Sequence, residues 1–322
     1  MAQKTMRAAR VREPGAVAIE EVPVPVPSES QVRLTIEGTG VCASNLGPWG
    51  GLPWLRYPLA PGEGGHEAWG RVDEVGPGVD RRWIGKRVAA LSGHAFAEHD
   101  VADVEGLIEL PPSLEGKPFP AEPFACAMNV FRRSDVEQGQ TVAVVGVGFL
   151  GAILVRLAKR AGAHVIAISR RPFARELARR MGADEAIALD DHHAILAEVG
   201  ALTEGRSCDR VIECTGAQWP LDLSAELTRV RGRLVIAGYH QDGPRSVNMQ
   251  LWNWRGLDVV NAHEREPAVY VRGMREAIAA VEDGTIDPAL LLTHRMPLEQ
   301  LGEALDATIE RPEGFVKALV IP

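Results

Sequence analysis

Apolar and polar positions change their rhythm once along the chain, near Thr141. Before it, short β-prone runs at Arg7–Val11, Val17–Val22, Gln31–Ile36 and Trp69–Val75 lie between turn signals such as PVPVPSES and GPG. No long 3.6-residue period interrupts them, which predicts an all-β unit with a crowded loop between about Thr39 and Glu67. From Thr141 onward, apolar strands alternate with amphipathic helices. Val142–Val145 is apolar throughout, as suits a parallel strand buried on both faces. The helix after it sets Ile153, Leu154, Leu157 and Ala158 on one face and closes at Gly162, a left-handed cap position. His164–Ile168 predicts the second strand, and Pro172–Met181 a helix opened by proline in its first turn. Ala186–Leu189, Arg210–Glu213, Leu234–Ala237 and Leu257–Val260 predict four more strands.

Six strands with crossover helices make a complete doubly wound dinucleotide-binding sheet. The chain does not stop there. Beyond about Ala262 the pattern predicts a helix over Val269–Glu282, a segment Pro288–Met296, a short helix over Leu298–Ile309 and a final β run, Phe315–Ile321. A six-stranded nucleotide fold has no place for these, so the chain is read as returning to its first unit. The expected fold is α/β: a β-rich unit over residues 1–123 and 264–322, with a six-stranded parallel sheet over 124–263 inserted in it.

Composition narrows the function. A length of 322 residues is at the upper limit for one hydrophobic core, which independently argues for two domains. The 46% hydrophobic and 24% charged residues exclude disorder and collagen-like repeats. Lys and Arg number 35 against 43 Asp and Glu, a formal charge of -8 that repels phosphate backbones and argues against a nucleic-acid partner. The four cysteines, at 42, 126, 208 and 214, contain no C-x-x-C, so neither a disulfide framework nor a four-thiolate zinc knot is available. The first fifteen residues lack the apolar core of a signal peptide, and no run approaches a membrane span. The expected location is the cytoplasm, with no membrane partner.

Gly146–Val147–Gly148–Phe149–Leu150–Gly151 follows an apolar strand and opens an amphipathic helix, with a second strand about 20 residues on. In that context the first glycine makes the turn, the second lets the backbone approach a pyrophosphate, and the third lets helix and strand pack closely. The diphosphate rests on the helix N-terminus. A ligand-free strand–helix turn is the bland alternative. At the end of the second strand, an acidic residue would grip a bare ribose. This chain has Ser169–Arg170–Arg171 instead, which favours the 2′-phosphate of NADP(H), with NAD(H) still possible. The alternative is that the arginines are solvated charges at a helix start.

Three further segments carry residues of zinc-ligand type: Gly40–Val41–Cys42–Ala43–Ser44–Asn45, Gly65–His66–Glu67 and Ala121–Glu122–Pro123. A single Cys is usually core and a single His usually structural. Together, upstream of a nicotinamide-type fold, they form a coherent set.

The chain resembles the medium-chain dehydrogenase/reductases, in their zinc-dependent alcohol, polyol and threonine dehydrogenase branch. The resemblance rests on GVCASNL, GHEAWGRVDEVGPGV, GKRVA, AEPFACA, VAVVGVGFLG, VIECTG and GRLVIAG, in family order across nearly the whole chain. It implies a GroES-like catalytic domain with an inserted Rossmann domain, and one catalytic zinc. Carried over position by position, Cys42 and His66 become zinc ligands and Glu122 the third. Glu67 becomes an exchangeable ligand or neighbour of the metal, and Ser44 the hydroxyl that passes the alcohol proton onward. Cys214–Thr215–Gly216 resembles the segment beside the nicotinamide ribose. The implied reaction is hydride transfer between the cofactor and a small alcohol or carbonyl compound, with zinc stabilising the developing charge on oxygen.

Four departures from the family pattern stand out. Asn45 replaces an acidic residue, which predicts a weaker contact orienting a ligand histidine. Gly47 replaces the histidine that often ends the proton relay. The four-cysteine structural-zinc lobe is missing, which excludes a second zinc. Ser169 replaces the acidic ribose reader.

Other features are weighed more evenly. His94, His99, His240 and His263 are relay candidates, though each is more simply surface or structural. Trp49, Trp54 and Tyr57 could wall the substrate pocket or merely pack. The polar loop Gly238–Tyr239–His240–Gln241–Asp242–Gly243 would suit a polyol, sugar or amino alcohol. Two competing readings remain: a zinc-free quinone or enoyl reductase of the same superfamily, and a nicotinamide-binding protein without catalysis. The Cys42, Ser44, His66 and Glu122 set argues against both. Leu257–Val260 is expected to be an exposed edge that pairs across a two-fold axis, giving a homodimer or homotetramer.

Overall fold

The computed structural model describes residues 4–322. The chain forms two compact units: everything up to Ala125 together with Glu266–Pro322, and Cys126–Arg265.

In the second unit, six parallel strands run in the spatial order Glu185–Ala188, His164–Ser169, Thr141–Val145, Cys208–Glu213, Thr228–Ile236 and Asp258–Asn261. Numbered along the chain this is the order 3-2-1-4-5-6, the doubly wound arrangement whose carboxyl edge forms a crevice beside the first strand. The interior of the sheet is aliphatic. Ile166, Ile168 and Ile212 are all fully buried, each worth about 1.5–3 kcal/mol over exposure. The helices Phe149–Arg160 and Pro172–Met181 pack against each other and against these strands, giving the cover that uninterrupted apolar strands require. Gly162 follows the first of these helices with φ +83°, in the left-handed region.

In the first unit a seven-stranded sheet is built on the long strand Gln31–Gly40, which pairs antiparallel with Glu67–Val75 and with His99–Asp103. Arg87–Leu91 and Leu107–Glu109 extend it on one side. On the other side Ala318–Ile321 pairs at Leu319↔Gly40 and Val320↔Thr39, and carries His294–Pro297 beyond it. The chain thus returns to its first unit through its last strand. A separate hairpin, Thr5–Glu13 with Ala16–Pro23, completes the β structure.

Several elements differ from the expected pattern. Arg87–Leu91, His99–Asp103 and Leu107–Glu109 form strands, and Ala121–Ser134 forms a helix, none of which the hydrophobic pattern marked. The crowded loop after Thr39 contains a 3-10 turn over Ala43–Asn45 and a short helix over Leu46–Gly50. The fifth strand of the parallel sheet starts at Thr228, well before Leu234, and accommodates Arg231 at φ +58°. The final strand is confined to Ala318–Ile321, so Phe315–Lys317 approaches it as irregular backbone.

Candidate active site

Strand pairing brings the metal-type side chains together. Register places Thr39 opposite Ala68, so Gly40 and Glu67 face each other where the two strands end. Cys42 follows just past Gly40, and His66 just precedes Glu67. The thiol, an imidazole nitrogen and a carboxylate oxygen of Cys42, His66 and Glu67 all lie within 4.8 Å of one another. Gly40 is required here by close approach: a Cβ on it would sit 1.8 Å from Glu67 Oε2.

Glu67 is fully buried. Its counter-charge is Lys317, whose Nζ is 2.8 Å from Oε1 and 2.7 Å from Oε2 and also donates to the Val41 carbonyl at 3.2 Å. Lys317 is itself buried, which lowers its pKa, but the charges of Glu67, Cys42 and Glu122 outweigh that and hold it above the ordinary lysine value. Oε2 still lacks a well-aligned hydrogen bond. Burial likewise lowers the pKa of His66, yet its hydrogen bond to Cys42 and the charges of Cys42, Glu67 and Glu122 push it up to about 10. The site thus gathers one thiol, one imidazole and two carboxylates, with Lys317 paired to Glu67. A thiol, an imidazole and a carboxylate within ligand reach of one another fit Zn²⁺.

The turn Ala43–Asn45 is held by Asn45. Its Oδ1 accepts from the Cys42 backbone N–H at 2.9 Å, and the Ser44 N–H reaches Cys42 Sγ at 3.5 Å. Asn45 Nδ2 donates to the Gly64 carbonyl at 2.9 Å, and His66 Nδ1 meets the same carbonyl at 2.8 Å. With Nδ1 donating, His66 presents Nε2 for ligation. The expected weakening at position 45 is therefore replaced by a different contact: a backbone carbonyl orients the histidine, and the amide braces that carbonyl.

Glu122 stands in the first turn of Ala121–Ser134, with its charge felt by His66 and Lys317, but it is not one of the three residues drawn within 4.8 Å. Lys317 is the participant that sequence reasoning missed. Its only signal was the return of the chain beside Gly40.

Trp49 is core: it packs with Leu301 and Leu305, and its Nε1 donates to Asp306 at 2.7 Å. Tyr57 packs on the same cluster, while Trp54 is exposed. His94 is exposed, His99 pairs with Asp73 at 3.4 Å, and His263 stacks on Tyr239.

In the second unit the glycine-rich turn has the predicted geometry. Gly146 has φ +96°, a Cβ on Gly151 would lie 2.0 Å from the Gly146 carbonyl, and a Cβ on Gly148 would meet nothing within 4 Å. The first glycine is needed for conformation, the third for packing, and the second leaves open approach to the backbone. Phe149 and Leu150 open the helix behind it. Ser169 ends the second strand and is buried. Arg170 is exposed, and Arg171 precedes the next helix at its N-cap. Arg175 reaches back to the carbonyls of Ser169 and Arg170 at 3.1 and 2.8 Å, adding a third guanidinium to this corner. Cys214–Thr215–Gly216 follows the fourth strand at the carboxyl edge.

A doubly wound dinucleotide unit and a β unit with a Cys–His–Glu cluster together define a nicotinamide-dependent dehydrogenase class. Residues 28–109 match the alcohol dehydrogenase GroES-like domain, and residues 150–279 match the zinc-binding dehydrogenase family. Sorbitol dehydrogenase of Halalkalibacterium halodurans is 27% identical over 96% of both chains. (R,R)-Butanediol dehydrogenase of Neisseria gonorrhoeae is 26% identical over 98% of this chain and 99% of its own. Among solved structures, a protein of Sinorhizobium meliloti described as a zinc-binding dehydrogenase, bound to NADP, superposes with TM-score 0.84 at 26% identity over 99% of this chain and 100% of that one. The chain belongs to the medium-chain dehydrogenase/reductase family, in its zinc-type alcohol dehydrogenase branch. It is an NAD(P)-dependent alcohol oxidoreductase acting on small molecules. No helix among the described residues is long and apolar enough to cross a membrane.

Proposed function

We propose that the enzyme interconverts a secondary alcohol and its ketone, using one zinc ion and preferring NADP(H), with a polyol, sugar or amino alcohol as substrate. The observation that carries this reading is the Cys42–His66–Glu67 cluster, whose ligand-type atoms lie within 4.8 Å of one another beside a buried carboxylate. Cys42 and His66 would hold the metal. Glu122 would complete the set, with Glu67 beside the ion. Bound there, the ion would act as a Lewis acid toward the substrate oxygen. Ser44, two residues from Cys42, would receive the alcohol proton as the hydride leaves. The glycine-rich turn would seat the diphosphate, with Ser169, Arg170 and Arg171 around the adenosine ribose. The polyol and diol dehydrogenases among the relatives support the substrate class. The edge position of Asp258–Asn261 supports assembly as a homodimer or homotetramer through strand pairing.

The test is a screen of polyols, diols, sugars and amino alcohols with both cofactors, on protein whose zinc content has been measured. Turnover that survives removal of all metal would point to a zinc-free reductase. Absence of turnover with every alcohol and ketone would reject the substrate class.

A further inference from the structure

The polar loop after the fifth strand of the dinucleotide unit is tied to the only carboxylate fully buried in that unit among the described residues. Glu213 ends the fourth strand. Its Oε1 accepts from the Thr215 backbone N–H and hydroxyl, both at 2.5 Å, and from the Gly216 N–H at 2.9 Å. Its Oε2 lies 3.1 Å from His240 Nε2. On the far side of that ring, Arg245 Nε donates to His240 Nδ1 at 2.8 Å. The remaining guanidinium reaches the Gly216 carbonyl at 2.7 Å and pairs with Asp242.

These contacts fix the proton on the ring. A guanidinium can only donate, so Nδ1 accepts, and Nε2 carries the hydrogen that goes to Glu213. His240 thereby passes the influence of an arginine to a buried anion that would otherwise keep one oxygen unpaired, at a cost.

The geometry around this relay is tight. Gly216 has φ +74°, and a Cβ on it would lie 2.5 Å from the Tyr239 carbonyl. A Cβ on Gly238 would lie 2.2 Å from the Gly216 nitrogen. The turns after the fourth and fifth strands are thus packed backbone to backbone. The same Thr215 borders the phosphate-type loop, since a Cβ on Gly146 would lie 2.6 Å from its Cγ2.

We propose that His240 and Arg245 are positioning residues for the dinucleotide: acting through Glu213, they hold the Cys214–Thr215–Gly216 turn against Gly146 and so shape the carboxyl-edge crevice that receives the cofactor. The inference rests on the reading that this unit binds a nicotinamide dinucleotide.

The experiment measures dissociation constants for NADPH and NADH by calorimetry, alongside melting temperature and zinc content, in wild type, His240→Leu, His240→Gln and Arg245→Met. Glutamine can both donate to Glu213 and accept from Arg245, so it should rescue. His240→Leu and Arg245→Met should each weaken dinucleotide binding about tenfold, His240→Gln by no more than about threefold, and zinc content should stay unchanged. Binding as tight in His240→Leu as in wild type, or equal losses in the leucine and glutamine variants, overturns the proposal. If His240→Leu does not fold, Arg245→Met decides in its place. A wild-type protein that binds neither dinucleotide removes the cofactor reading, and this inference with it. Normal wild-type binding with an unaffected leucine variant overturns the inference alone.

Discussion

Asn45 and His66 end on one acceptor: the side-chain amide of the first and the Nδ1 of the second both meet the Gly64 carbonyl, at 2.9 and 2.8 Å. A carbonyl has two lone pairs, so both bonds can be made. Because Asn45 also accepts from the Cys42 backbone, one amide spans the two turns that carry the thiol and the imidazole. A carboxylate could accept from Cys42 but could not donate to Gly64.

Restoring an acidic residue should therefore harm this protein. Asn45→Asp places a negative charge against the Gly64 oxygen and should lower zinc affinity by about tenfold to a hundredfold, the usual cost of losing a supporting contact. Competition with a chromophoric chelator measures it. Affinity equal to or better than wild type would show that the amide is not a brace.

Loss of a ligand should be more severe. Cys42→Ser or His66→Ala should abolish stoichiometric zinc and turnover, while far-ultraviolet dichroism stays native. Ser44→Ala should keep zinc and cofactor binding and lose about 10²-fold or more in turnover, because in the proposed reaction the hydroxyl would move a proton and hold neither ligand. Metal analysis beside initial rates separates the two classes.

At the adenosine corner, Ser169→Asp should reverse cofactor preference. The new carboxylate would accept from a ribose hydroxyl and repel a 2′-phosphate, shifting the ratio of specificity constants by about tenfold or more. A wild-type enzyme already favouring NAD(H) would reduce Arg170, Arg171 and Arg175 to surface charge.

Acid should loosen the parallel sheet at Asp209. Burial raises the pKa of this carboxyl, but its bonds from the Thr141 N–H at 2.8 Å and Arg229 at 2.6 Å outweigh that and leave it below the ordinary value. A depressed folded pKa gives stability that is present above about pH 4 and is lost as pH falls through the folded value. Asp209→Asn should lower the neutral-pH melting temperature by about 2–4 °C, corresponding to ~1 kcal/mol. It should also flatten the acid limb, as scanning calorimetry across pH would show.

The sequence disclosed the parallel sheet better than the β unit, for a physical reason. Strands buried on both faces, such as Val142–Val145, are continuous apolar runs, and their helices carry caps like Gly162. Arg87–Leu91 is short and alanine-rich, while His99–Asp103 is bracketed by charge, so neither has a strong period of its own; pairing across the sheet makes them strands. Thr228–Arg233 is hidden similarly by three arginines. At the Cys–His–Glu cluster, Cys42, His66 and Glu67 were legible as residue types in a family pattern. The Gly64 bracing and Lys317 were not, because a carbonyl has no sequence signature and a lysine reads as surface until its neighbours are known.

Lys317 also sets an order of events during synthesis. Cys42, His66 and Glu67 emerge early, but the cation that answers Glu67 is added only after the entire 126–265 unit has been translated. A nascent chain therefore carries Cys42, His66 and Glu67 through most of its elongation without Lys317. The buried carboxylate of Glu67 gains its lysine partner only when the last strand, Ala318–Ile321, pairs beside Gly40.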